Sequence, residues 1–205
     1  MYVTRPTMIE KFNLLLTQDW MTQERFIEDL TKPFVTNPKM RLGTFIHKLI
    51  ETRPVDEKAL TDGEFTLHPS ALEVINGTPD DVLREAAGRI TIDTDYGPVR
   101  IYGHADSLTG TLGRDYKTSD KEPQLDMYQD SYQWRIYMWI FGLRMFEYDF
   151  IKTKADKEGL IHLERLTPLT MYAYPEQEKD ICMMVNDFVG TMIRLGFEHL
   201  LKGKK

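Results

Sequence analysis

The stretch GHADSLTGTLGRDYKTSD, residues 103–120, decides the fold of this 205-residue chain. It ends a region, beginning near Arg89, in which apolar and polar residues alternate, the period of strands with one buried face. Turn signals at Tyr96-Gly97-Pro98 and at Thr109-Gly110 divide this region. The pattern therefore predicts a three-stranded antiparallel meander.

Helical periodicity is found on both sides of the meander. Before it, apolar residues recur at helical spacing until Pro54, at Leu42, Phe45, Ile46, Leu49 and Ile50. After it, an aromatic-rich helix is predicted from about Gln124 to Leu143. A β-pair (residues 144–154 and 160–167) and an amphipathic helix from about Glu176 follow, with Ile181, Met184, Phe188, Met192 and Leu195 facing inward. The element order predicts an α/β chain of the mixed α+β type.

The first forty residues indicate short helices broken at Pro33 and Pro38, and residues 54–88 are turn-rich. No Pro/Gly/Ser-rich linker separates two domains, so we expect a single domain over residues 1–205.

Composition excludes several classes of protein. The 32 acidic residues outnumber the 26 Lys and Arg, which argues against binding of nucleic acid through bulk positive charge. The single cysteine, Cys182, excludes an intramolecular disulfide, a zinc site with two or more cysteines and a four-cysteine iron–sulfur cluster. No run of about 18 apolar residues occurs. We therefore expect a cytoplasmic protein with no membrane partner.

Three residues of the deciding stretch form a candidate metal site. Asp115 and Lys117 are two apart on one strand and therefore share a face, while Asp106 lies on the polar face of the preceding strand. A hairpin brings these strand ends together, and two nearby carboxylates repel each other unless a cation lies between them. Oxygen ligands favour Mg²⁺ or Mn²⁺. Each residue alone has a simpler explanation, since aspartates near turns and Asp-x-Lys pairs on strand edges are usually solvated.

Two helical pairs add to this set. His47 and Glu51 are four apart, on a helix face away from the apolar residues, so His47 faces either solvent or a cleft. Gln133 and Tyr137 are four apart on the aromatic helix, where packing and surface roles are the simpler explanation.

Taken together, the residues resemble the RecB-like branch of the PD-(D/E)XK nuclease superfamily. The matching motifs occur in the family's order and are Gly43-Thr44-x-x-His47, Gly103-x-x-Asp106, Asp115-x-Lys117-Thr118 and Gln133-x-x-x-Tyr137. They cover residues of about 41–140. The resemblance implies a restriction-endonuclease-like core with a mostly antiparallel or mixed sheet flanked by helices, to which residues 1–40 and 144–201 would be additions.

The resemblance also implies roles for the matching residues. Asp106 and Asp115 would be the principal ligands of Mg²⁺ or Mn²⁺, with the backbone carbonyl of Tyr116 and the side chain of His47 as further ligands. Lys117 would position the attacking water and stabilise charge on the phosphate. Asp106, Asp115 and Lys117 would thus form the catalytic set.

Three other residues have supporting roles in this interpretation. Gln133 and Tyr137 would support the site and contact the DNA backbone. Glu51 has no firm role in the family and would at most support a metal ligand without binding the metal itself. No iron–sulfur cluster and no nucleotide cofactor are expected, because the four cysteines that would hold a cluster and the GxxxxGK[ST] motif are absent from the sequence.

The function predicted in this way is a metal-dependent deoxyribonuclease, an exonuclease acting on DNA ends or single strands in a bacterial or phage-infected cell. Its context would be phage biology or DNA recombination and repair, with a helicase, recombination protein or single-strand-binding protein as partner. The alternative is a catalytically silent DNA-binding or protein-interaction module on the same fold, and a coincidental match is a third interpretation.

Other residues could contact DNA. The aromatic candidates for stacking on unpaired bases are Tyr102, Tyr128, Tyr132 and Trp134. The basic candidates for phosphate contacts are Lys152, Lys154 and the tail Lys202-Gly203-Lys204-Lys205.

Overall fold

A computed structural model of the chain describes residues 1–33, 35–80 and 83–202; Gly203, Lys204 and Lys205 of the basic tail lie outside this part. The helices are α1 (Pro6–Thr17), α2 (Gln23–Thr31), α3 (Pro38–Thr52), α4 (Ala71–Asn76), α5 (Leu125–Gln129), α6 (Tyr132–Phe141) and α7 (Gln177–Arg194). The strands are β1 (Tyr2–Thr4), β2 (Leu83–Thr94), β3 (Gly97–Thr109), β4 (Leu112–Ser119), β5 (Met145–Ala155), β6 (Ile161–Arg165) and β7 (Leu169–Tyr172).

The predicted meander is confirmed as β2, β3 and β4, which pair in antiparallel fashion. Buried Val99 and Ile101 alternate with more exposed neighbours along β3. The alternation of apolar and polar residues in the sequence thus corresponds to a strand with one buried face. The first strand begins at Leu83 rather than near Arg89. Its early part, Glu85-Ala86-Ala87-Gly88, contains small side chains that give no hydrophobic alternation.

The sheet is mixed because β5 pairs with β4 in parallel, from Leu112↔Met145 to Ser119↔Lys152. The predicted β-pair is confirmed as β5 and β6, and β7 also pairs with β5. Strand β1, which was not predicted, pairs in parallel with β3. The predicted class, a mixed sheet flanked by helices, is therefore confirmed, and the sheet includes strands from both sides of residues 41–140.

Two helical predictions are wrong in detail. The aromatic helix is not continuous from Gln124 to Leu143, because α5 ends before Asp130 and α6 starts anew after Ser131. The Ser131 side chain accepts a hydrogen bond from the Gln133 backbone N–H, which is an N-cap. Pro38 does not break a helix but begins α3, since the missing N–H of proline costs nothing in the first turn.

The helices cover the sheet in separate apolar clusters. Helices α1 and α7 pack on β2 and β3, where Ile181, Phe188 and Met192 are buried as predicted and Met184 and Leu195 are half-buried. Helices α3 and α4 pack on β4 to β6 around Tyr116 and Ile151. Within the described residues, no helix is long and apolar enough to cross a membrane.

Candidate active site

The candidate site lies where β3 and β4 part. Their last paired residues on this side are Ser107 and Arg114, and the next residues along the two strands are Asp106 and Asp115. As the strands separate, Asp106 Oδ2 accepts a hydrogen bond of 2.7 Å from the backbone N–H of Tyr116. Each strand thus contributes one aspartate where the pairing ends, and Asp115 is buried there.

Asp115 and Lys117 share a face of β4, as predicted. Lys117 Nζ is 2.6 Å from Asp115 Oδ2 and donates to Gln133 Oε1 at 3.3 Å. Gln133 Nε2 lies 3.5 Å from Asp115 Oδ1 and 3.4 Å from the hydroxyl of Tyr137. The two motif residues of α6 therefore contact the Asp-x-Lys pair directly or through each other.

His47 reaches the site from α3. Its Nδ1 is 3.6 Å from Asp106 Oδ2, and its ring meets the ring of Tyr116 edge-on, with centroids 6.3 Å apart. The sequence left open whether His47 faces solvent or a cleft. In the structure its side chain lines a cleft with a volume of about 670 Å³. His47, Asp106 and Lys117 all line it.

Gly43 allows α3 to lie against β4 at this point. A Cβ atom at Gly43 would be 2.8 Å from Thr118 Oγ1, closer than van der Waals contact permits. His47 is one helical turn further along α3, so the close approach of Gly43 to Thr118 helps to place the imidazole beside Asp106.

We expect Gly43→Ala to lower the free energy of unfolding, although alanine is the better helix former. The gain in helix propensity is about 1 kcal/mol, whereas overpacking costs about 1–3 kcal/mol. Urea unfolding measures the difference. In a Thr118→Ala background the obstructing hydroxyl is gone, and Gly43→Ala should then be neutral or stabilising. A stabilised Gly43→Ala single variant would contradict the packing argument.

The electrostatics of the site depend on burial and on the two carboxylates. Burial, followed by the nearby charge of Asp115, raises the pKa of Asp106 to about 8. Burial lowers the pKa of His47 and thereby favours the neutral imidazole. Burial also disfavours the ammonium of Lys117, but the charge of Asp115 and its hydrogen bond offset this, and the pKa of Lys117 lies above its ordinary value.

Two further acidic residues lie near His47 and Asp106. Glu51, on α3, is exposed and lines a small cavity together with His47, Asp106 and Glu85, without a direct contact to the central residues in the described structure. Glu85 was not predicted as a site residue. Its pKa is raised by burial and then by the charge of Glu51. Its backbone φ of 51° is unusual for a residue other than glycine.

Helix α1 fixes the start of α6. Glu10 Oε2 accepts hydrogen bonds from Ser131 Oγ at 2.8 Å and from the Tyr132 backbone N–H at 2.6 Å. Burial raises the pKa of Glu10, partly offset by these hydrogen bonds. Residue 133 follows directly, so an α1 side chain positions the helix that bears Gln133. Local sequence carries no signal for this long-range contact.

The donors fit a hard divalent cation in chemical type. They are the carboxylates of Asp106 and Asp115 and the carbonyl of Tyr116, all of them hard oxygen ligands. The charge of Asp115 contributes, after burial, to the raised pKa of Asp106, and a cation between the two carboxylates would relieve this repulsion. Across residues 1–33, 35–80 and 83–202, however, no three His, Cys, Asp or Glu side chains already surround a common point. Asp115 is instead paired with Lys117.

Three solved structures resemble the chain in fold. The protein SSO0001 is 15% identical, with a TM-score of 0.55 over 93% of this chain and 77% of its own. LHK-Exo, an alkaline exonuclease from Laribacter hongkongensis, is 13% identical in its dAMP complex, with a TM-score of 0.53 over 96% of this chain and 90% of its own. A second LHK-Exo structure gives a TM-score of 0.50 at 13% identity, over 97% and 91% of the two chains.

No family model and no curated protein matches the sequence. At these identities the likeness concerns the backbone alone. The chain therefore shares its backbone fold with SSO0001 and with the exonuclease LHK-Exo.

Proposed function

We propose that the chain is a Mg²⁺- or Mn²⁺-dependent deoxyribonuclease that acts as an exonuclease on DNA ends or single strands. The observation that carries this proposal is the convergence of two aspartates, a lysine and a histidine where β3 and β4 part. The structure of LHK-Exo with dAMP, a deoxynucleotide, is consistent with a nucleic-acid substrate. We also propose that residues 1–205 act as one nuclease domain, because the sheet that supports the site extends across the chain.

The metal would be held by chain oxygens at the end of the meander. Asp106 and Asp115 would supply carboxylates and the Tyr116 carbonyl a further oxygen, and His47, 3.6 Å from Asp106, would be an additional ligand. When bound, such an ion stabilises charge on a phosphodiester and makes water a better nucleophile.

The remaining residues have defined tasks in this proposal. Lys117 remains cationic and directs its ammonium into the site, where it orients the attacking water and stabilises charge developing on the phosphate. Gln133 holds both Lys117 and Asp115, and Tyr137 holds Gln133. Such outer contacts fix the orientation of the groups that carry out the reaction. Glu51 is proposed only as a rim residue behind His47.

A cleavage assay tests the proposal. End-labelled single- and double-stranded DNA is incubated with Mg²⁺, Mn²⁺ or EDTA, so that activity, polarity and strand preference are read together. We expect degradation from the ends with either metal, none in EDTA, and its loss in Asp115→Asn. Asp187→Asn, an exposed aspartate on α7, is the matched control and should retain full activity.

Two results would oppose the proposal. Metal-dependent activity that persists in Asp115→Asn would show that cleavage does not depend on this site. Tight DNA binding without cleavage under either metal would favour the silent module instead.

A further inference from the structure

A second cavity adjoins the cleft, and the proposed function assigns it no role. It has a volume of about 320 Å³ and lies between α5 and strands β4 and β5. We call it the side cavity. Lys117 lines both the side cavity and the cleft that contains Asp106 and His47. A substrate whose phosphate lies beside Lys117 therefore has its neighbouring sugar and base within reach of the side cavity.

The wall of the side cavity is aromatic and its rim is basic. Tyr128, half-buried on α5, and Phe150, buried on β5, both line it, with ring centroids 4.9 Å apart. Lys121 and Lys152 lie at the rim, and Lys152 pairs with Glu122. Flat aromatic faces bind bases and ammonium groups bind phosphates, so this combination matches the two ends of a nucleotide.

The side cavity lies beside α5, the short helix that precedes the interruption of the aromatic helix. All five residues of α5 are described, and none of them is buried. The half-buried Tyr128 is its main link to the sheet, through its ring contacts with Tyr148, at 4.9 Å, and with Phe150. The break at Asp130-Ser131 allows α5 to stand away from β5, which leaves the space beneath it open.

Of the four aromatic residues that could stack on bases, Tyr128 is the one placed beside Lys117. Trp134 is buried in the core. Tyr132 is covered by the guanidinium of Arg135, and Tyr102 is exposed beside Arg100 on β3. In the side cavity, therefore, an aromatic ring that can stack on a base lies near the lysine proposed to contact the phosphate.

We infer that the side cavity binds the base of one unpaired nucleotide next to the phosphate that lies at Lys117. Its volume is at the small end of ligand pockets, about 300–1,000 Å³, and therefore suits one nucleotide rather than a duplex. A paired base could enter only after leaving its stack, which costs free energy. The inference rests on the proposed function and specifies it further: the substrate is single-stranded DNA or the frayed end of a duplex.

A binding experiment tests this without depending on cleavage. Single-stranded oligonucleotides carrying one 2-aminopurine at successive positions are titrated with the protein, in EDTA and in Ca²⁺, and fluorescence quenching reports stacking. We expect strong quenching at one position. Tyr128→Leu should bind about 5- to 150-fold more weakly, the effect of one base–aromatic stack, whereas Tyr128→Phe should bind normally. Tyr172→Leu, at an exposed tyrosine on β7, is the matched control.

A second measurement uses the wild-type protein alone, in case Tyr128→Leu fails to fold. A single abasic nucleotide is moved along the strand, and we expect a loss of affinity of similar size at one position only. Equal affinity at every position, an unaffected Tyr128→Leu, or no binding under either condition would overturn the inference. DNA cleavage without any base dependence would leave the proposed function intact, whereas base-dependent binding without cleavage would refute that function alone.

Discussion

Lys117→Met is expected to lower the rate of metal-dependent DNA cleavage by about 10²–10³-fold, the usual effect of removing one group that stabilises transition-state charge. Methionine retains the length and apolar character of the lysine stem and removes only the ammonium. In the structure this ammonium is 2.6 Å from Asp115 Oδ2 and 5.5 Å from the ring centroid of Tyr148. The surroundings therefore hold it at one place, where it can act on a phosphate.

Comparison of the cleavage rate with the affinity for DNA distinguishes a chemical role of Lys117 from a structural one. Single-turnover rates should fall by the full factor, whereas the dissociation constant for DNA should change by only a few-fold, because the contact matters most in the transition state. Lys179→Met, on the surface of α7, is the matched control and should cleave normally. A Lys117→Met protein that retains more than about a tenth of the wild-type rate is incompatible with the charge stabilisation invoked here.

The second large effect concerns stability. Asp106→Asn is expected to make the metal-free protein more stable at pH 8, by about 1–3 kcal/mol after allowance for coupling between the carboxylates. Burial and then Asp115 raise the pKa of Asp106 from 3.8 to about 8 in the folded chain. The unfolded chain therefore loses this proton near pH 4 and the folded chain only near pH 8, so the wild type becomes less stable as the pH rises between these values.

Asparagine removes this penalty and can still accept the hydrogen bond from the Tyr116 N–H. The stability difference should therefore be near zero at pH 4, grow toward pH 8 and then level off, as measured by urea unfolding in EDTA. Addition of Mg²⁺ or Mn²⁺ should stabilise the wild type, by about 2.7 kcal/mol at 100 times the dissociation constant. The same addition should stabilise Asp106→Asn much less.

Asp115→Asn provides the contrast, because Asp115 is paired with Lys117. Its removal leaves a cation without its partner, so this variant should be less stable than the wild type in EDTA. If Asp106→Asn were also less stable than the wild type at pH 8 without metal, the electrostatic description of the two aspartates would be wrong.

Part of the fold could be predicted because local patterns report local structure. The alternation around Val99 and Ile101 predicted the meander, and the two-residue spacing placed Asp115 and Lys117 on one face. The parallel pairing of β5 with β4 could not be predicted in this way. Hydrophobic residues from Met145 onward indicate a strand, but its partner is chosen by the crossover formed by α5 and α6.

The site could be predicted to the extent that its residues follow strand and helix periodicity. His47, Gln133 and Tyr137 project from helices whose apolar faces are evident in the sequence. Glu85 and Glu10 were not predicted, since the first lies in a strand of small residues and the second acts across 121 residues of sequence to reach Ser131. Contacts of this kind are set by tertiary packing, about which local sequence carries no information.

The hydrogen bonds of Glu10 have a consequence for engineering of this chain. A minimal fragment cut to the four motifs, at about residues 41–140, would retain every residue that the motifs contain. It would nevertheless lose the Glu10 carboxylate, which accepts hydrogen bonds from Ser131 and Tyr132. These hydrogen bonds fix the start of the helix that carries Gln133. It would also lose the strand that pairs along the whole of β4. Trimming of this fold should therefore preserve both flanks, even though neither flank supplies a residue of the proposed catalytic set.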